Sequence, residues 1–216
     1  KLKNIFTKKK LKKILSINFD IFIRTILLTF AFLWVTYQGA KIGEEFVAVN
    51  SILMQFIIFS SFLLDAYAFS TESVVGYTVG RGVQKSFLNT SKNSFELSFF
   101  TSIILSLFYI LFAKYIINFL TDLDVIRFMS YSFIFWIILI PPVASFCYQL
   151  DGIFIGASQT KEIRNAMVVS VIGYIGVSIL LTRYLGNHGI WFSLLLFMIF
   201  RSITLKFYFK NILRKF

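Results

Sequence analysis

Apolar positions along this chain fall into six long blocks separated by short polar or charged intervals. The blocks run from about Ile21 to Gln38, Phe46 to Gly80, Phe95 to Phe119, Val125 to Gln149, Ala166 to Thr182 and Ile190 to Phe209. Each is continuous over roughly the 20 residues that a helix needs to cross the hydrocarbon core of a bilayer. Barrel strands would alternate over segments of about ten residues, and only helices or closed barrels satisfy the backbone inside lipid. The pattern predicts an all-α membrane protein with six transmembrane helices. The second block is too long for one crossing at about 1.5 Å of rise per residue. Its apolar density falls after Leu64, which predicts a span followed by a helical extension, with Gly76 as a candidate break. Pro141 and Pro142 lie inside the fourth block and remove two backbone donors, so they predict a kink that is either a static bend or a hinge.

Composition rules out a soluble alternative for the 216 residues. Hydrophobic residues make up 57% of the chain and charged residues only 15%, against about 25% charged in an ordinary soluble domain. The single cysteine, Cys147, allows no internal disulfide, and one histidine, His188, leaves no cluster of the type that holds zinc. No metal site is expected. His188 lies in the tight turn Gly186–Gly189 and is expected to be structural. No nucleophile and base pair can be assembled, so no catalytic residue and no enzyme activity are expected.

The net charge of +12 does not imply a nucleic-acid partner. Seven of the 22 basic residues precede Phe19, directly beside an apolar span, and such a run reads as a juxtamembrane segment facing anionic lipid. With the N-terminus inside and six crossings, sixteen basic residues fall on the inner side and four (Lys41, Lys114, Arg127, Arg183) on the outer side, with Arg24 and Arg201 within spans. That bias places both termini in the cytoplasm. The expected organisation is a basic juxtamembrane segment over 1–18, a transmembrane unit over 19–209 and a cytoplasmic tail over 210–216. The chain begins with Lys1 rather than Met, so a preceding segment is expected.

Ionisable residues within spans are costly and are usually paired. Arg24, Asp65, Glu72, Asp151, Arg164 and Arg201 all fall near the inner ends of the predicted helices. They form a candidate charge network and cytoplasmic gate, the alternative being a set of solvated interfacial charges. If Asp65 belongs to the network, Asp65→Asn should destabilise the protein. Uncharged polar and aromatic residues suggest a wet cavity or interhelical hydrogen bonds. The cavity candidates are Trp34, Tyr37, Gln38, Asn50, Gln55, Trp136 and Tyr148. Gly76/Gly80 and Gly152/Gly156 have the four-residue spacing that permits close helix approach.

Several of these stretches resemble a known family. Asp20-Ile-Phe-Ile-Arg24-Thr25 followed by Gln38-Gly39-Ala40 resembles the seventh helix of multidrug and toxin extrusion (MATE) transporters of the DinF-like branch. Leu64-Asp65-Ala-Tyr-Ala-Phe69 with Glu72 is similar to the eighth helix of that branch. Leu150-Asp151-Gly152 through Gly156-Ala157, then Arg164-Asn165, is similar to its most recognisable loop. Gly186-Asn187-His188-Gly189 and Arg201-Ser202 resemble its last helix. The resemblance implies one six-helix lobe, the C-terminal one, of a twelve-helix, two-lobe transporter, with residues 1–18 as the inter-lobe linker. It implies export of a small-molecule drug or metabolite across the inner (plasma) membrane by alternating access, driven by proton or sodium. It also implies no cofactor and a coupling acid mainly on the missing N-terminal lobe. The expected partners are the lipid bilayer, the substrate and that lobe, on the same or a separate chain, or else a second copy. A lipid-linked precursor flippase of the same superfamily and a half-size relic or scaffold are the alternatives.

Overall fold

A computed structural model describes residues 8–214 and 216. Residues 1–7 of the basic segment and Lys215 of the tail lie outside the described residues. Seven helices follow in order: α1 (Lys8–Ile42), α2 (Glu44–Gly80), α3 (Gln84–Leu120), α4 (Asp124–Tyr131), α5 (Ile134–Gly156), α6 (Thr160–Leu185) and α7 (Asn187–Leu213). All but α4 are long and apolar enough to cross a membrane, and the described residues contain no strand.

The helices overrun the apolar blocks. The spanning helix α1 continues the basic segment without a break from Lys8. The helices α2 and α3 each have 37 residues, or about 55 Å at 1.5 Å per residue. They form a hairpin turned at Arg81–Val83, where Gly82 takes φ +68°, a value open to glycine at little cost. Gly76 does not break α2, which is helical throughout.

The fourth apolar block is two elements. Residues 124–131 form the separate helix α4, and the span itself is α5. Arg127 holds the corner. Its Nε donates to the Thr121 carbonyl at 2.7 Å and its Nη2 to the Asn118 carbonyl at 3.0 Å, occupying acceptors that the end of α3 would leave open. Its ion pairs to Asp122 (3.2 Å) and Asp124 (3.1 Å) fix the start of α4. Ile126 and Ser130 are buried while Val125 and Phe128 are exposed, so α4 is amphipathic and lies at the corner between α3 and α5.

The core is built around α5 and α7, the two most enclosed of the spans, with α2 packed against them. Trp191, Phe197, Ile137, Leu53 and Ile57 are fully buried there. Midway along α3 and α6 the exposed surface is apolar: Ile104, Leu107, Ile110 and Leu111 on one, Val169, Ile172, Ile179 and Leu180 on the other. Such surface suits lipid or a packed partner and not water.

Pro141 and Pro142 sit within α5, which remains a single helix. Pro142 has no N–H to offer the Ile138 carbonyl one turn earlier. The Ser106 hydroxyl of α3 donates to that carbonyl at 2.7 Å instead. The proline step is therefore tied to a neighbour. Ser106→Ala should leave the carbonyl unpaired and lower stability by about 1–3 kcal/mol. A melting curve in detergent tests this, and an unchanged midpoint would contradict it.

Candidate functional site

At the end of the bundle that holds the turn between α5 and α6, four helices meet through buried charges. Asp20 of α1 is 2% exposed, Asp151 of α5 3% and Arg201 of α7 1%. Asp20 accepts from Arg164 Nη1 at 2.6 Å and from Thr160 Oγ1 at 3.0 Å, both at the start of α6. One turn along α1, Arg24 pairs with Asp151. The same Asp151 oxygen accepts from Arg201 Nη2 at 2.6 Å. Arg201 also lies 5.6 Å from the ring centres of Tyr148 and Phe197, where its charge meets the negative faces of the rings. Two guanidiniums thus share one carboxylate in a site that water barely reaches. The other oxygen of Asp151 and Arg24 Nε have no hydrogen-bond partner among the described residues.

This cluster corrects the expected network. Arg24, Asp151 and Arg201 form one ionic group, and Arg164 pairs separately with Asp20, one turn before Arg24 on α1. Asp65 and Glu72 join neither: both are half-buried and neither makes an ion pair among the described residues. Asp65 sits in the electrostatic neighbourhood of Arg24, Asp151 and Arg201 without touching them. Asp20 was not expected in the network. Its signal was available, because four residues separate it from Arg24 on one helix face.

The seven cavity candidates do not surround one space. Asn50 is buried in a reciprocal amide pair with Asn187 (2.7 and 3.0 Å), and Trp191 Nε1 donates to its oxygen at 2.9 Å. Tyr148 is buried against Ser61 at 2.6 Å, and Gln38 is buried too. These three are lobe packing and not cavity lining. Trp34 donates to Ser178 at 3.1 Å, joining α1 to α6. Trp136 donates to His188 Nδ1 at 3.0 Å and stacks on Phe192, locking the N-terminal ends of α5 and α7 together. Only Tyr37 and Gln55 are exposed. Gln55 stands at a groove between α2 and α3 that is otherwise aromatic and aliphatic, with Phe59, Phe62 and Phe108.

A polar surface does exist on the first two spans. Thr25, Thr29 and Thr36 of α1 are exposed at spacings that keep them near one face, and Ser51 and Gln55 of α2 are exposed four residues apart. The exposed central faces of α3 and α6 carry no such series. Hydrogen-bonding groups at this depth face protein or water sooner than lipid tails.

The sequence model of the family described as MatE matches residues 21–185. The chain is 32% identical over 194 residues to DNA damage-inducible protein F of Escherichia coli (strain K12), across 90% of this chain and 42% of that protein. It is 26% identical over 184 residues to Protein DETOXIFICATION 44, chloroplastic, of Arabidopsis thaliana, across 84% of this chain and 35% of the relative. The chain spans less than half the length of these curated relatives. Among solved structures, a MATE protein in the bent conformation superposes with TM-score 0.83 at 16% identity, over 97% of this chain and 47% of the other. An outward-facing multidrug resistance MATE family transporter of the MOP superfamily superposes with TM-score 0.76 at 17% identity, over 91% of this chain and 44% of the other. At these identities the superpositions speak for the fold, which is that of about half of each structure.

Proposed function

The chain belongs to the MatE family, whose members are transporters and not enzymes, and on that premise we propose that it is the C-terminal lobe of a cation-coupled efflux antiporter in the inner membrane. The observation that carries this reading is the exposed polar series on α1 and α2, beside faces of α3 and α6 that suit lipid. A second six-helix lobe would cover that series and enclose a wet path between the two. Transport would proceed by rocking one lobe against the other around a substrate held near mid-membrane. The proton or sodium site would lie mainly on the partner lobe. The Asp151 cluster would hold the inner ends of α1, α5 and α7 together as the lobe moves, serving as the cytoplasmic gate. The tethered step at Pro141 and Pro142 would let α5 move with α3 as one body.

The test belongs in the intact transporter. Thr29→Leu with Gln55→Leu should leave membrane abundance unchanged and slow efflux of a lipophilic cationic dye several-fold. Each change removes about 1–2 kcal/mol of hydrogen bonding or hydration along the path. Unaltered efflux at equal abundance would overturn the cavity assignment. Asn50→Leu should instead reduce abundance, because it strands Asn187 and Trp191 inside the lobe.

A further inference from the structure

The first turn of α7 is held to two different helices. Asn187 is buried and ties it to α2 through the amide pair with Asn50. His188, the next residue, is exposed and ties it to α5, where Trp136 Nε1 donates to His188 Nδ1 at 3.0 Å. The imidazole also lies on Phe133, with ring centres 4.6 Å apart, and Phe133 meets Phe46 of α2 edge-on. The chain has three tryptophans, and their N–H groups go to acceptors of different kinds. Trp34 donates to the Ser178 hydroxyl at 3.1 Å and Trp191 to the Asn50 amide at 2.9 Å. Trp136 alone donates to a group that takes up a proton near neutral pH. Nδ1 accepts only when the imidazole is neutral and carries its proton on Nε2. A ring protonated on both nitrogens turns Nδ1 into a donor that faces a second donor.

The fields around the ring oppose one another. His188 is the second residue of α7 and meets the positive end of that helix, while the face of Phe133 attracts a cation. The charged side chains on the elements that meet at this end are mixed in sign. They are Lys41 in the last turn of α1, Glu44 and Glu45 in the first turn of α2, Asp124 and Arg127 of α4, and Arg183 in the last turn of α6. The first turn of α5 adds no acid. None of these groups forms an ion pair with His188 among the described residues. The hydrogen bond from Trp136 is therefore the contact that turns on the charge of the ring. We propose that the Trp136–His188 contact is an acid-sensitive latch between α5 and α7, closed by the neutral imidazole and opened by the protonated one. The amide pair beneath it has no group that titrates, so acid frees α7 from α5 at this end and leaves it tied to α2. The latch does not depend on transport.

The experiment follows the indole N–H signals of the intact purified protein by NMR, with isotope-labelled tryptophan, from about pH 8 to about pH 5. One of the three signals should move along a one-proton titration while the other two stay in place, and its absence from Trp136→Phe should assign it to Trp136. Thermal midpoints of the parent, Trp136→Phe, His188→Ala and the double variant are read at both ends of the range. The two substitutions should be coupled by roughly fivefold in the folding equilibrium at the high end, the size of one net hydrogen bond, and additive at the low end. Stability from the latch is present while the ring is neutral and is lost as pH falls, so the parent's midpoint should drop on acidification by an amount that both single variants lack. A Trp136 signal that does not move, or that moves together with the other two, would overturn the latch. So would coupling that grows in acid, because the face of Phe133 would then be holding the charged ring in place. If the variants do not fold, three immobile signals in the parent are enough to end the proposal. Each readout is a bond or a stability, so a failure of efflux cannot be mistaken for a failure of the latch.

Discussion

Asp151→Asn should be the most damaging single substitution in the buried charge cluster. The carboxylate holds Arg24 and Arg201 together, and an amide would leave two guanidiniums facing each other where Arg201 is 1% exposed. Removing one member of a buried pair costs about 3–5 kcal/mol, because the remaining charge stays desolvated. Arg201→Gln should cost less, since Asp151 keeps Arg24 and the local charge becomes neutral. Combining Asp151→Asn with Arg201→Gln should recover part of the loss, and that recovery measures the coupling directly. Asp65→Asn should change stability little, because Asp65 has no ion pair to lose among the described residues. Midpoints of the purified protein in detergent check the order. If Asp65→Asn were the worst of the three single changes, the cluster drawn here would be wrong.

That order departs from the one expected of the sequence, and helix rotation explains why. Intramembrane charge is legible because lipid penalises it, so Arg24, Asp151, Arg164 and Arg201 stand out from composition alone. Depth can be read from position within a block. The face of a helix that meets its neighbours cannot. On α2 the buried stripe is Asn50, Leu53, Ile57, Ser60, Leu64, Ala68, Thr71 and Val75. Asn50 falls on it and is packing. Asp65 and Glu72 each lie one residue past it and stop short of the cluster. Gln55 lies on the far side and is exposed. Seven residues between Asp65 and Glu72 correctly place them together, but nothing in that spacing says which way the pair points.

The spans were legible for a related reason. A bilayer requires continuous apolar sequence, so six blocks map to six spanning helices. Hydropathy reports only the part of a helix that lipid touches. It therefore missed the start of α3 at Gln84, whereas the helical extension of α2 beyond Leu64 was expected and runs on without the candidate break at Gly76. It also merged α4 with α5, because a short amphipathic helix has apolar residues at nearly the density of a span. The corner between them depends on Arg127, which the sequence alone shows merely as one basic residue between two apolar blocks.

The glycine spacing, a weak signal in the sequence, leads to the second large expected effect. A Cβ on Gly152 would overlap the Ala68 carbonyl, and one on Gly156 would overlap the Glu72 carbonyl. Both obstacles are backbone of α2, which cannot turn aside as a side chain could. Gly152→Ala or Gly156→Ala must therefore push α2 and α5 apart along the central packing of the lobe. Overpacking of this kind costs about 1–3 kcal/mol, and more where backbone must move. Gly80 is the internal control: nothing lies within 4 Å of its added Cβ, and alanine is favoured over glycine in a helix by about 1 kcal/mol. Gly80→Ala should thus be neutral or mildly stabilising. Gly76 is intermediate, with its Cβ position 3.4 Å from the Gly156 carbonyl, and its alanine variant should fall between. One melting series across the four variants separates close backbone packing from a general intolerance of alanine. Equal midpoints for Gly80→Ala and Gly156→Ala would mean that α2 and α5 do not meet as described, and the charge cluster that α5 positions would have to be redrawn with them.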